Sequence, residues 1–425
     1  MPLQQSILAT DPSNSARLDI REGLIFSLAL LISRVVLLLV LAKLTGASAF
    51  TNDSAFHLSM SRHPLEVLQA TNHDTAHFPP LLPVFESSLG FLYQQIFPPF
   101  YSLRLLFITF ELVAFVLVWR VLSLVFNSST RRLLAALWIV MPMTWMTSTV
   151  MEQEEMLSAA FCAGIILLIL RGRLNAAVVV CSLAVVSAKI FFLVPLLALV
   201  VGPSLKPTGS LIRRALLAAA PILLVYGIAM SIWIPKGVDF PLLSFTPPAA
   251  FSTTFWSTVV RTTGMSNLTA KSLSMPLALI GALLPLALVK LRADERDLLG
   301  LRLLKLIAAM WLWVFALFYE IGSEYYMMLV PLLMVVLNPR LAVGVLGGML
   351  SIAWAISFFQ GVEMATAPEA IERKAAFIRL YNAISPFDPG TMHTLSVAVF
   401  VLLIFWLAAY VTKGLLRPGD HVLAR

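Results

Sequence analysis

The sequence predicts an all-α polytopic membrane protein of about twelve transmembrane helices, on three observations. Mean hydropathy is +0.90, far above that of a water-soluble domain. Hydrophobic residues make up 59% of the 425 residues and charged residues only 12%, too few for a water-facing exterior. The apolar runs are continuous and many approach the roughly 20 residues a bilayer-crossing helix needs; they do not alternate as the strands of a membrane barrel do.

Residues 1–22 are polar, with no short apolar core and small-residue cleavage site, so they read as a cytoplasmic segment and not a signal peptide. Residues 23–413 read as one transmembrane domain. Its helices are expected over 23–45, 102–126, 133–150, 156–171, 174–187, 190–202, 211–234, 274–291, 303–319, 325–338, 341–360 and 393–413, followed by a cytoplasmic tail, 414–425. The fifth and sixth are too short to cross at about 1.5 Å per residue. They read as a hairpin of half-helices turning at Ser187-Ala188-Lys189. Merging them into one span is the alternative, and it inverts everything downstream.

Charge decides between the two counts. With the hairpin, Arg17, Arg21, Arg131, Arg132, Arg171, Arg173, Lys206, Arg213, Arg214, Lys290, Arg292, Arg296, Arg302, Lys305, Arg340, Lys413 and Arg417 share one side. The positive-inside rule makes that side the cytoplasm, which accounts for the net charge of +8 without nucleic acid. The outer side then carries loops 46–101, 235–273 and 361–392, with the short stretches Met151–Glu155 and Glu320–Glu324. Gly344, Gly347 and Gly348 read as helix-packing positions. Cys162 and Cys181 lie inside apolar runs and suggest neither a disulfide framework nor a zinc motif.

The ionisable residues are gathered. The first outer loop holds Asp53, Asp74 and four of the six histidines, and ends in His77-Phe78-Pro79-Pro80-Leu81-Leu82-Pro83. Amphipathic helices are expected there around Ser54–Ser61 and Leu65–Ala70, broken at Pro64. A carboxylate at Asp53 suits a general base, against the plainer reading of a helix cap. His57, His73 and His77 suit hydrogen bonds to phosphate or sugar; a metal site with Asp53 or Asp74 stays open.

Glu152-Gln153-Glu154-Glu155 opens the fourth helix, where acids also favour the helix dipole. The cluster suits sugar hydroxyls, an acceptor or a divalent cation. Lys189 lies where a charge needs a partner, either a lipid-linked phosphate or Glu111 of the second span. Glu320 and Glu324 precede Tyr325 and Tyr326, which also fit an aromatic belt, and Arg261 is a further candidate for phosphate contact. No Walker loop, HExxH or GxSxG is present.

Together these stretches resemble the GT-C superfamily, membrane glycosyltransferases that use polyprenyl-phosphate sugars. The acidic residue after the first span corresponds to Asp53. His77 to Pro83 is similar to the aromatic-Pro-Pro-Leu element of dolichyl-phosphate-dependent mannosyl- and glucosyltransferases. Glu152–Glu155 resembles their polar cluster at the fourth helix, and Lys189 to Pro195 their lysine before an aromatic-Pro-Leu run. Glu324-Tyr325 to Leu333 resembles the late outer loop, although many relatives carry a basic residue where Glu320 and Glu324 stand. The first loop has no Asp-x-Asp.

The resemblance implies transfer of a single sugar from polyprenyl phosphate, with inversion, to a glycan, lipid or protein on the extracytoplasmic face. That face belongs to the plasma membrane in a prokaryote or the endoplasmic reticulum in a eukaryote. Asp53 is the expected base. Lys189, His57, Arg261 and Tyr325 are expected at the donor, and Asp74, His77, Glu152, Gln153, Glu154, Glu155 and Glu324 at the sugar or acceptor. A lipid or sugar transporter, whose charges belong near the bilayer midplane, and an outer-face glycan ligase or polymerase are the alternatives.

Overall fold

A computed structural model describes residues 12–45, 79–151, 153–203, 209–236, 252–292, 300–365, 382–383 and 385–416, and among them every regular element is helical. In order these are α1 (Pro12–Thr45), α2 (Leu82–Ile96), α3 (Pro99–Val125) and α4 (Ser128–Val140). A single turn, Pro142–Trp145, and a π turn, Met146–Val150, lead to α5 (Glu155–Leu170) and α6 (Leu174–Ser187). A 3-10 turn, Ile190–Phe192, precedes α7 (Leu193–Val201), then come α8 (Gly209–Trp233), α9 (Phe255–Thr263), α10 (Asn267–Arg292) and α11 (Leu301–Leu317). The 3-10 turn Glu324–Leu329, α12 (Val330–Val336), α13 (Pro339–Ala365) and α14 (Pro389–Leu416) follow.

Helix boundaries follow local chemistry. Proline at the first positions of α3 needs no hydrogen-bond acceptor there, and Asn127 caps α4 by accepting from the Thr130 amide at 3.0 Å. Gly264 ends α9 at φ +70°, a left-handed conformation that costs glycine nothing.

Among the described residues, six helices are long and apolar enough to cross a membrane, within α1, α3, α8, α10, α13 and α14. Counting α4 and Pro142–Val150 as one span bent by 52° makes seven. The chain is therefore a multi-pass membrane protein. The twelve apolar segments all fall on described helices, but α5, α6, Ile190–Val201 and Glu324–Val336 are shorter pieces. The chain does break between α6 and α7, at Ala188-Lys189.

The core is built on α3 and α5. Phe107, Phe110, Ala114 and Phe115 of α3 and Met156, Ala159, Ala163 and Ile166 of α5 are buried in one cluster. The alanines of α5 let the two backbones approach closely. In contrast, α8 leaves Ile212, Leu216, Leu223, Leu224 and Ile228 exposed, as a helix facing hydrocarbon needs no polar partner. Gly344 and Gly348 correct the packing expectation: a Cβ on either meets nothing within 4 Å. They face outward, and of the three only Gly347 is so placed that an added Cβ would meet a neighbour, Met141.

Charged groups gather at two ends of α3. At one, Ser123 donates to Asp19 at 2.8 Å, Arg131 pairs with Asp19 and Glu22, both at 2.9 Å, and Arg132 pairs with Glu22. This ties the start of α1 to the α3–α4 turn. At the other end, Arg104 donates to the Thr149 carbonyl at 3.1 Å and lies 3.9 Å from the centre of the Phe100 ring. The helical rise separates Ser123 from Arg104 by roughly 30 Å.

Candidate functional site

The break after α6 makes the site. Ala188 and Lys189 both donate their amides to the Ala184 carbonyl, at 2.9 and 3.2 Å. Lys189 is itself extended (φ −148°, ψ 141°), so its side chain leaves the helix axis. Trp311 of α11 donates to the Phe191 carbonyl at 3.0 Å. Phe191 packs edge-on against Phe315 and Phe318, with ring centroids 5.4 and 5.1 Å away. These contacts hold the turn that presents the lysine.

The Lys189 ammonium donates to Glu154 Oε1 at 2.5 Å. Glu155 Oε1 stands 3.0 Å from the same nitrogen, close enough for charge attraction but outside hydrogen-bonding geometry. Among the described residues, neither oxygen of the fully buried Glu155 makes a hydrogen bond of good geometry. On its other side the ammonium lies 4.1 Å above the Tyr325 ring, a contact worth about 2 kcal/mol when desolvated. Thus α5, the α6–α7 break and the Glu324–Leu329 turn meet at one nitrogen.

The segment that enters α2 arrives at the same place. Pro79 and Pro80 are buried, and the Leu81 amide donates to the Val186 carbonyl at 2.8 Å, three residues before Lys189. Two prolines without amide hydrogens can pack there with no donor left unsatisfied.

The segment from Ser252 to Trp256 clamps the stretch that leads into the Glu324–Leu329 turn. Thr253 donates its amide and its hydroxyl to the Ile321 carbonyl, each at 2.7 Å. Thr254 donates to the Tyr319 carbonyl at 3.2 Å, and Trp256 to the Leu317 carbonyl at 2.7 Å. Glu320 lies between the held carbonyls of Tyr319 and Ile321, with its side chain half-buried. Burial pushes its carboxyl up to about 7; Lys189 opposes that shift and Glu324 adds to it. Ser323 donates to Glu324 at 3.2 Å and shares a 2.6 Å hydrogen bond with Ser357 of α13.

Of the residues singled out from sequence, Lys189, Gln153, Glu154, Glu155, Glu324 and Tyr325 come together, Gln153 through its place beside Glu154. Arg261 is paired elsewhere, with His393 of α14 at 2.8 Å. Asp53, His57, Asp74, His77 and Glu152 lie outside the described residues, as does the expected helical part of the first loop. Glu111 is not the partner of Lys189. It is held by Arg34 of α1, at 2.8 and 2.6 Å, because both groups lie mid-way along their helices whereas Lys189 stands at a helix end.

Arg34, Arg104 and the clamp at Thr253-Thr254 were not among the residues picked from sequence. Two of them had a signal: each arginine is a charge set in an apolar run, and such a charge demands a partner. Among the described residues no group of three or more His, Cys, Asp or Glu is arranged to hold a metal ion. No family model matches the chain, and no curated protein matches it.

Proposed function

We propose that the chain is a GT-C-type membrane glycosyltransferase of about twelve spans, transferring one sugar from a polyprenyl phosphate to an acceptor on the extracytoplasmic face. The observation that carries the reading is the meeting of four distant stretches at Lys189. Pro79–Leu81, Gln153–Glu155, the α6–α7 break and Glu324-Tyr325 belong to four of the five sequence elements behind the resemblance, and they converge within the reach of a few side chains. Neither charge pairing nor apolar packing alone requires all four to meet there.

In this reading the lipid phosphate is already an anionic leaving group, so the chain needs a base for the acceptor hydroxyl and a place for the departing charge. Asp53 is the base. Lys189 faces the phosphate, and Glu155, which is ion-paired but not hydrogen-bonded, is the partner that the phosphate displaces. Glu154 keeps the ammonium in position meanwhile. Glu320 and Glu324 accept hydrogen bonds from sugar hydroxyls, and the polyprenyl tail rests among the lipid-facing helices, where apolar contact suffices.

The test is direct. Purified protein is incubated with a panel of polyprenyl-phosphate sugars and acceptor glycans, and release of free polyprenyl phosphate is followed. Acceptor-dependent release with at least one donor is expected, with loss of about 10²–10⁴-fold in Asp53→Asn. No release from any donor, or an Asp53→Asn variant within about tenfold of wild type, removes the reading or the base.

A further inference from the structure

A second buried ion pair lies away from the site. Arg34, 2% exposed, and Glu111, 0% exposed, form a two-pronged ion pair between α1 and α3. A buried pair of this kind contributes little net stability, since desolvation offsets most of the attraction. Its other contacts show what it holds.

Pro142 has no amide hydrogen, so the bend after α4 leaves carbonyls without their helical donors. At membrane depth such groups must be satisfied from elsewhere. Thr144 Oγ1 lies 2.8 Å from the Trp138 carbonyl and 2.7 Å from that of Met141. Arg34 donates to the Ile139 carbonyl at 3.0 Å and to the Thr144 hydroxyl oxygen at 3.1 Å. The other half of the pair reaches further along the chain: Ser148, inside the π turn, donates to Glu111 Oε2 at 2.6 Å. The turn closes with the Met151 amide on the Met146 carbonyl at 2.7 Å, and the Gln153 amide on the Thr147 carbonyl at 3.0 Å. Glu154 and Glu155 follow at once.

A π turn holds one residue more than an α turn, and each residue rotates the chain by about 100°. If Met146–Val150 relaxed to an α-helix, Glu154 and Glu155 would swing away from Lys189. We propose that the Arg34–Glu111 pair is a positioning device for the Lys189 site: it holds the Pro142 break and the π turn in the register that aims both carboxylates at the ammonium. The function of the site thus positioned rests on the glycosyltransferase reading; the positioning itself does not.

The experiment reads Lys189 directly. Full-length protein in detergent is treated with a small amine-acylating reagent, and modification of Lys189 is quantified by mass spectrometry beside the melting temperature. Arg34→Met/Glu111→Leu removes both charges and strands neither, although it frees the Ile139 carbonyl and Ser148. Some fall in melting temperature is therefore expected, while Lys189 modification rises several-fold and amide exchange over 146–155 quickens. Ser148→Ala keeps the ion pair and cuts its link to the π turn, along with longer contacts to the Thr144 carbonyl and the Thr149 hydroxyl, so it decides the matter if the double variant does not fold; modification is expected to rise there too. Wild-type modification and exchange in the variants that fold overturn the proposal. Should Lys189 be unmasked while the wild-type protein transfers no sugar, the positioning stands and the glycosyltransferase reading falls; transfer with unchanged labelling gives the reverse.

Discussion

Lys189 keeps two buried carboxylates company, and that sets what its removal does. Lys189→Met strands Glu154 and Glu155 in a site where both are at most 1% exposed, at a cost of about 3–5 kcal/mol for breaking a buried pair. A clear fall in melting temperature is expected, with partial recovery when Glu154→Gln and Glu155→Gln are added. An unchanged melting temperature in the single variant would show that the carboxylates do not depend on the lysine. Glu320 gives a separate signature in pH. Its carboxyl is raised from 4.5 to about 7 by burial, so the folded chain retains a proton that the unfolded chain releases. Its contribution is fully present below pH 4.5 and falls as pH rises to about 7, by roughly 3 kcal/mol at about 1.4 kcal/mol per unit. Glu320→Gln should remove that part of the decline in melting temperature between pH 5 and 7, and an unchanged pH profile counts against the shift.

At the scale of elements, the break after α6 decides topology. The 14 residues of α6 extend about 21 Å and cannot cross a hydrocarbon core of about 30 Å; α7 is shorter still. Cysteines introduced at Arg173 and Pro203, which flank the pair, should therefore be labelled by an impermeant reagent from the same side. Labelling from opposite sides would make the pair one kinked span. The break was legible because a lysine and two small residues interrupt an apolar run, and the Pro-Pro element because its prolines resist helix. Partner choice was less legible. Glu111 invited pairing with Lys189 until depth is considered: Arg34 and Glu111 both lie mid-helix, and antiparallel neighbours bring those two levels together. The π turn had no signature at all in Met146-Thr147-Ser148-Thr149-Val150, since a one-residue insertion changes neither composition nor apolar length. The clamp at Thr253-Thr254 was equally hidden, because hydroxyls that satisfy buried carbonyls look in sequence like any polar loop.

Taken whole, the molecule carries +8, yet around Lys189 the balance is reversed. Glu154, Glu155, Glu320 and Glu324 surround one ammonium, and burial removes the water that would screen them. In the glycosyltransferase reading this field acts on the sugar, since a hexose hydroxyl donates to a carboxylate whereas a uronic acid brings another negative charge. Two like charges about 6 Å apart repel by about 3 kcal/mol at an effective dielectric of about 20, and Lys189 cancels only part of that sum. Polyprenyl-phosphate donors bearing a neutral hexose should therefore bind at least tenfold more tightly than the matching uronate donors, a factor of about ten being 1.4 kcal/mol. The phosphate and lipid are common to both, so the difference isolates the sugar. Competition binding at low and high salt measures it, and the gap should persist at high salt because the carboxylates are buried. Equal affinity for the two donors would place the sugar away from these carboxylates and confine the Lys189 cluster to holding the fold.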